Sequence, residues 1–190
     1  MKELYRLVRD IPDYPKPGIL FRDITPLLAD AEALAQSVEA MAAPFADQKV
    51  DFVAAAEARG FIFGTSVAQT LGAGFVPIRK PGKLPHTVHR QSYDLEYGTD
   101  ELQVHTDALP SGSRVLIVDD LLATGGTVAA CVDLVRRCDA EVVGCSFLIH
   151  LVPLGGHLRL SPHRIETVLK YDGDDHESEL SPSNRSGIDR

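Results

Sequence analysis

The chain is poor in the residues that several common functions require. It holds three cysteines in 190 residues, Cys131, Cys138 and Cys145, with no C-x-x-C spacing. That odd count excludes a disulfide framework and reads as small apolar side chains in a core. The seven histidines form no H-E-x-x-H or paired-ligand pattern, so a zinc site held by the protein is not expected. No apolar stretch reaches the length of a membrane span, and residues 1–10 carry charges where a signal peptide would need an uninterrupted core. A cytoplasmic location is expected, away from membranes. Positive charge is also scarce: 19 Lys and Arg stand against 27 Asp and Glu. A general basic footprint for nucleic acid is therefore missing, and cations must be sought locally. The acidic excess is concentrated at the end, where residues 172–190 hold six acids, two bases and only Leu180 and Ile188 as large apolar residues. Such a segment cannot bury enough surface to order itself.

What is present begins with the run 115–127, Val-Leu-Ile-Val-Asp-Asp-Leu-Leu-Ala-Thr-Gly-Gly-Thr. Residues 115–118 read as a short parallel strand covered on both faces. Asp119 and Asp120 are expected where that strand ends, the edge of an open α/β sheet at which ligands bind. Ala123, Thr124, Gly125, Gly126 and Thr127 then form a small-residue loop before an apolar-periodic helix, offering free N–H groups to an anion. The glycines are adjacent and no Gly-Lys-Ser/Thr follows, which disfavours a nucleoside triphosphate or a dinucleotide. A monophosphate beside two carboxylates remains, and paired carboxylates suit vicinal hydroxyls, as on ribose 5-phosphate. Both aspartates can face one ligand only if the chain turns there, because strand side chains alternate. The plainer alternative is a helix capped by Thr124 or Asp120.

Around this run, helices alternate with strands. Asp30 caps a helix carrying Leu34, Val38, Met41 and Phe45; residues 52–56, 75–78 and 141–149 read as strands, and 60–71 as a helix. This is the pattern of a parallel sheet with right-handed crossovers. Between 81 and 109 the pattern changes: Leu102, Val104 and Thr106 alternate with Glu101, Gln103 and His105, predicting a half-exposed antiparallel hairpin that suits a lid.

The run Val-Asp-Asp-Leu-Leu-Ala-Thr-Gly-Gly-Thr resembles the phosphoribosyl diphosphate (PRPP) motif of the type I phosphoribosyltransferases, in the Leu-Leu form of the adenine phosphoribosyltransferases. Three further strings extend the resemblance over about residues 3–171. Arg79-Lys80-Pro-Gly-Lys83-Leu-Pro is a solvated turn or a mobile cationic loop when read alone; the resemblance puts Lys80 and Lys83 on diphosphate oxygens. Glu57-Ala58-Arg59-Gly-Phe suits a helix start, and in the family it holds the diphosphate, with Arg59 as its cation and a cis bond between Glu57 and Ala58. Ser92-Tyr-Asp-Leu-Glu96-Tyr-Gly reads on its own as a hairpin edge with a solvated Glu96, whereas the resemblance makes Glu96 the general acid at N7 of the base. Pro17-Gly-Ile-Leu20-Phe21-Arg22-Asp-Ile-Thr is only an N-terminal turn by spacing. In the family it is the adenine site, with Phe21 stacked on the purine, main-chain groups of Leu20 and Arg22 on its edge, and Leu121 beside it.

The resemblance implies a type I phosphoribosyltransferase fold, a mostly parallel twisted α/β sheet flanked by helices, in one domain spanning residues 1–171. A base-binding segment falls at about 12–28, a lid at about 80–109 and an acidic tail at 172–190. It implies that adenine and PRPP give AMP and diphosphate, with Mg²⁺ held mainly by substrate and water, in a homodimer. Two rivals stand beside it: a transferase for guanine, hypoxanthine or xanthine, and a PRPP-binding regulator without catalysis.

Overall fold

In the computed structural model, residues 2–94 and 98–173 are described. Glu96 and residues 174–190 of the expected tail lie outside them. The elements in chain order are α1 (Lys2–Arg6), β1 (Arg9–Ile11), β2 (Phe21–Asp23), α2 (Thr25–Ala29), α3 (Ala31–Ala42), β3 (Phe52–Ala56), α4 (Gly60–Leu71), β4 (Gly74–Ile78), β5 (Val88–Asp94), β6 (Thr99–His105), β7 (Arg114–Leu122), α5 (Gly126–Arg137), β8 (Glu141–Leu151), α6 (Gly156–Arg159) and β9 (Ile165–Tyr171).

Local signals account for several of these. Asp30 accepts a 2.9 Å hydrogen bond from the Ala33 N–H and so caps α3. Gly72 ends α4 in the left-handed conformation. Five strands form one parallel sheet in the order β4-β3-β7-β8-β9. The central strand β7 contributes Val115 and Ile117 to a core against α5 and the β5–β6 hairpin. Leu116 and Val118 point the other way, into a core with Met41 of α3 and with Phe63 and Val67 of α4. Covered on both faces, the strand reads as the apolar run seen in the sequence.

The strand order is what positions a site. From β3 the chain moves outward to β4, then returns to place β7 on the other side of β3, so the winding direction reverses between β3 and β7. Open α/β sheets bind ligands outside the carboxyl ends of strands at such a reversal.

Two details depart from expectation. Asp119 and Asp120 were expected at a strand end with the chain turning, yet β7 continues to Leu122, paired with β8 as far as Leu122 and His150. On the other side its pairing with β3 stops at Val118. Beyond that point one edge of β7 is open, and carboxylates from both faces reach the same crevice without a turn. The hairpin also differs: Gln103 is as buried as Leu102 and Val104. Its backbone bridges Arg79 in both directions, at 2.7 and 2.8 Å, and its amide donates to Glu101 at 2.7 Å. Pairing with the end of β4 closes the face that alternation left open.

Candidate active site

A cavity of about 480 Å³ occupies the reversal between β3 and β7. Its walls bring together Glu57, Ala58 and Arg59 after β3, Lys80 after β4, and Asp119, Asp120 and Leu121 of β7. Ala123, Thr124, Gly125, Gly126 and Thr127 complete it at the start of α5.

The loop at α5 is built to leave its backbone free. Gly125, at φ +78°, precedes the first helical residue, and no side chain caps the helix. Neither Thr124 nor Asp120 takes the capping role considered from sequence. The N–H groups of the first turn and the positive end of the helix dipole thus face the cavity without an internal anion to satisfy them. Behind the loop lies Gly156: a Cβ added there would stand 2.2 Å from the Ala123 carbonyl oxygen and 2.9 Å from the Gly125 nitrogen. Two backbones are in contact at a spacing only glycine allows.

The two carboxylates differ in surroundings. The Asp120 N–H donates to Asp119 Oδ1 at 2.9 Å, while Asp120 Oδ2 is paired with Arg59 Nε at 2.7 Å. Removal from water, reinforced by the neighbouring Asp120 charge, pushes Asp119 well above the usual carboxylate range. Burial raises Asp120 as well, and the Arg59 guanidinium opposes it. Arg59 also lies 5.5 Å from the centre of the Phe21 ring, joining this end of the cavity to the N-terminal segment.

Glu57 lines the same cavity but has other partners. Its Oε2 accepts from Arg79 Nε and Nη2 at 3.0 and 2.7 Å, and its Oε1 from the Lys80 N–H at 2.7 Å. Burial pulls the carboxyl upward, but those donors together hold it below its ordinary value. Glu57 therefore fixes the turn that carries Lys80. The Glu57–Ala58 peptide bond is cis, as the resemblance implies.

Other sequence-derived candidates lie outside the cavity wall. Lys83 is exposed and its N–H bonds the Lys80 carbonyl at 3.3 Å. Leu20, Phe21 and Arg22 are half-buried in or beside β2. Phe21 meets Tyr14 edge to face at 5.1 Å. The Arg22 side chain is turned to Asp10 at 2.5 Å and lies over the Tyr171 ring. Glu96 falls outside the described residues.

Tyr93 and Leu102 of the hairpin and Val128 of α5 also line the cavity. Sequence reading gave none of the three a place in the site, although Leu102 is among the alternating positions of the hairpin and Tyr93 sits inside the quoted hairpin string. Gly156 was missed too; its signal was the Gly155-Gly156 pair, which follows β8 after the short turn Val152–Leu154.

A phosphoribosyl transferase domain model matches residues 23–172. The chain is similar to an adenine phosphoribosyltransferase of Rhodopirellula baltica, 70% identical over 183 residues that cover 96% of this chain and 89% of the relative. Another, from Aeromonas salmonicida, is 54% identical and covers 88% of this chain and 93% of its own. Among solved structures, the adenine phosphoribosyltransferase of Thermoanaerobacter pseudethanolicus matches with a TM-score of 0.87 at 49% identity, over 90% of this chain and 99% of that one. That of Saccharomyces cerevisiae, complexed with an imino-altritol bisphosphate and adenine, matches with a TM-score of 0.84 at 37% identity, over 88% and 97%.

Proposed function

The chain belongs to the phosphoribosyltransferase family, and we propose that it is an adenine phosphoribosyltransferase that salvages adenine: adenine and PRPP give AMP and diphosphate. The observation that carries this reading is the cavity itself, where paired carboxylates, an open helix start and the cations Arg59 and Lys80 stand around one volume of about 480 Å³. Each suits a different part of PRPP.

The N–H groups of residues 123–127 take the 5′-phosphate. Asp119 and Asp120 take the ribose hydroxyls, and their charge stabilises the ribosyl cation that develops as the bond from C1′ to diphosphate breaks. Arg59 and Lys80, with Lys83 from the same turn, neutralise the departing diphosphate. Arg59 must exchange Asp120 for a diphosphate oxygen, which frees that carboxylate for the sugar. Phe21 stacks on the purine, with Leu121 beside it. Main-chain groups of Leu20 and Arg22 read its C6 edge, and a 6-oxo purine is rejected by leaving a buried group unpaired. Glu96 is the group that exchanges a proton with N7: it is the general acid when the glycosidic bond of AMP is broken, and in AMP formation its carboxylate takes the N7 proton of adenine as N9 bonds to C1′.

The donor set fits Mg²⁺. The cavity offers carboxylate oxygens, and among the described residues no group of three or more His, Cys, Asp or Glu could hold a metal. The ion would be held mainly by diphosphate and ribose oxygens and water, with Asp119 and Asp120 nearest, and would supply charge neutralisation on the leaving group. No helix among the described residues is long and apolar enough to cross a membrane. We place the enzyme in the cytoplasm as a homodimer, with residues 1–171 as its single domain.

Formation of AMP from adenine and PRPP, with and without Mg²⁺, tests the function; guanine, hypoxanthine and xanthine should yield no nucleotide at comparable rates. Preferred use of any of these three, or no product at all, overturns it. Glu96→Gln is expected to lower kcat by roughly a hundredfold, within the range of general acid–base catalysis, while PRPP binding changes little. Unchanged turnover would remove Glu96 from the mechanism.

A further inference from the structure

Lys80 has a partner that the reaction as described does not use. Its ammonium is 3.0 Å from Asp100 Oδ2 on β6. The same oxygen accepts from the Tyr93 hydroxyl at 3.2 Å, and Asp100 Oδ1 accepts from the Glu101 N–H at 2.8 Å. Lys80 and Tyr93 line the cavity and Asp100 does not. The carboxylate thus stands on the hairpin, outside the cavity wall, and holds a cation that belongs to that wall.

We propose that Asp100 is a positioning residue that holds the Lys80 ammonium in the empty site and takes it back when diphosphate leaves. The inference rests on the reading of Lys80 as a diphosphate ligand. Two anions, the Asp100 carboxylate and the diphosphate, compete for one ammonium. A fixed carboxylate beside the site lowers diphosphate affinity and gives Lys80 somewhere to go on release. Its bonds to Tyr93 and the Glu101 N–H keep that carboxylate in place whether or not Lys80 is attached.

The alternative is that Asp100 merely braces the hairpin and preorganises Lys80, in which case its removal weakens binding. The two differ in sign. The Lys80 and Asp100 side chains are 52% and 22% exposed, so solvent screening limits the effect to about threefold to fivefold, as for a half-exposed ion pair.

The test is calorimetric titration of inorganic diphosphate, with Mg²⁺ present, into the full chain and its variants. Asp100→Asn, whose single amide oxygen can still accept from the Glu101 N–H while its nitrogen meets the Tyr93 hydroxyl, which can turn to accept, is expected to bind diphosphate about threefold to fivefold tighter, with KM for PRPP lowered by the same factor. Asp100→Ser should move in the same direction, so the result does not depend on one variant folding. In a Lys80→Met background the gain should vanish, because the carboxylate acts through that ammonium. Equal or weaker binding by the Asp100 variants, or a gain that persists without Lys80, overturns the proposal. Failure of the unaltered protein to bind diphosphate would instead overturn the reading of the site.

Discussion

Replacing Asp119 by Asn is expected to yield a protein that is more stable than the parent and about a thousandfold less active in kcat/KM. Both effects have one cause. Asp119 is withdrawn from water beside Asp120, and its carboxyl is raised well above the usual range. A raised folded-state pKa means that the native protein holds this proton more tightly than the unfolded chain does. Its stabilising contribution is complete below the ordinary carboxylate range and is lost as pH rises through the raised value. Above that raised value the ionised side chain therefore stands at a destabilising position, kept because a negative charge is needed opposite the developing ribosyl cation. Asn retains the side-chain oxygen that accepts the Asp120 N–H and removes the charge. Loss of one preorganised electrostatic group of this kind costs about 10² to 10³ in rate.

Thermal denaturation across pH provides the check. The variant should melt above the parent at alkaline pH, by roughly 2–4 °C for each kcal/mol of relief, and the gap should close as pH falls and Asp119 of the parent takes up its proton. Parallel curves with no closing gap would mean that Asp119 is not destabilised in the folded state. Undiminished activity would remove it from the ribose site.

How much of this was legible in the sequence depends on the range of the interactions involved. Features fixed within a turn or two of chain were readable: the Asp30 cap, the apolar period of α4, the covered run at the start of β7 and the glycine loop before α5. Each depends on neighbours in sequence. The extent of β7 was not, because the apolar run stops at Val118 whereas the backbone ladder to β8 continues to Leu122; polar side chains at the carboxyl end of a strand do not end its hydrogen bonding. Strand β9 was missed because Glu166, Thr167 and Lys170 break up its apolar positions, as suits a strand at a sheet edge. The three-residue strands β1 and β2 are too short to display a period.

Within the site, the residue types and their likeness to a known set located the ligand-facing groups, but the ion pairs among them were hidden. That Arg59 rests on Asp120, Arg79 on Glu57 and Lys80 on Asp100 follows from strand order and hairpin register, which no local pattern encodes. Gln103 gives the same lesson. Its alternation marks it as exposed, and a backbone bridge to Arg79 buries it.

Gly156 is the position where such a long-range contact carries the largest consequence for binding. Substitution by Ala is expected to reduce kcat/KM for PRPP at least a hundredfold, chiefly through the 5′-phosphate loop. The added methyl would meet the Ala123 carbonyl oxygen at 2.2 Å, the Gly125 nitrogen at 2.9 Å and Leu122 Cδ1 at 2.9 Å. Only the last is the end of a flexible side chain. The first two are the backbone of the loop itself, so relief requires the loop to move by something approaching an ångström. A displacement of that size is enough to cost about 10² in rate when it misplaces a reacting group. Gly125 is itself packed against Gly156: it sits in the left-handed region at φ +78°, and a Cβ added to it would stand 2.8 Å from the Gly156 carbonyl oxygen and 3.2 Å from its α-carbon. The effect should appear as a raised KM for PRPP and weakened binding of ribose 5-phosphate, with a melting temperature lowered by less than the loss of binding would suggest, because the methyl meets the cores on either side of the sheet only at the flexible end of Leu122. A folded Gly156→Ala protein with an unchanged KM for PRPP would show that the loop does not hold the 5′-phosphate in the position its contact with Gly156 defines.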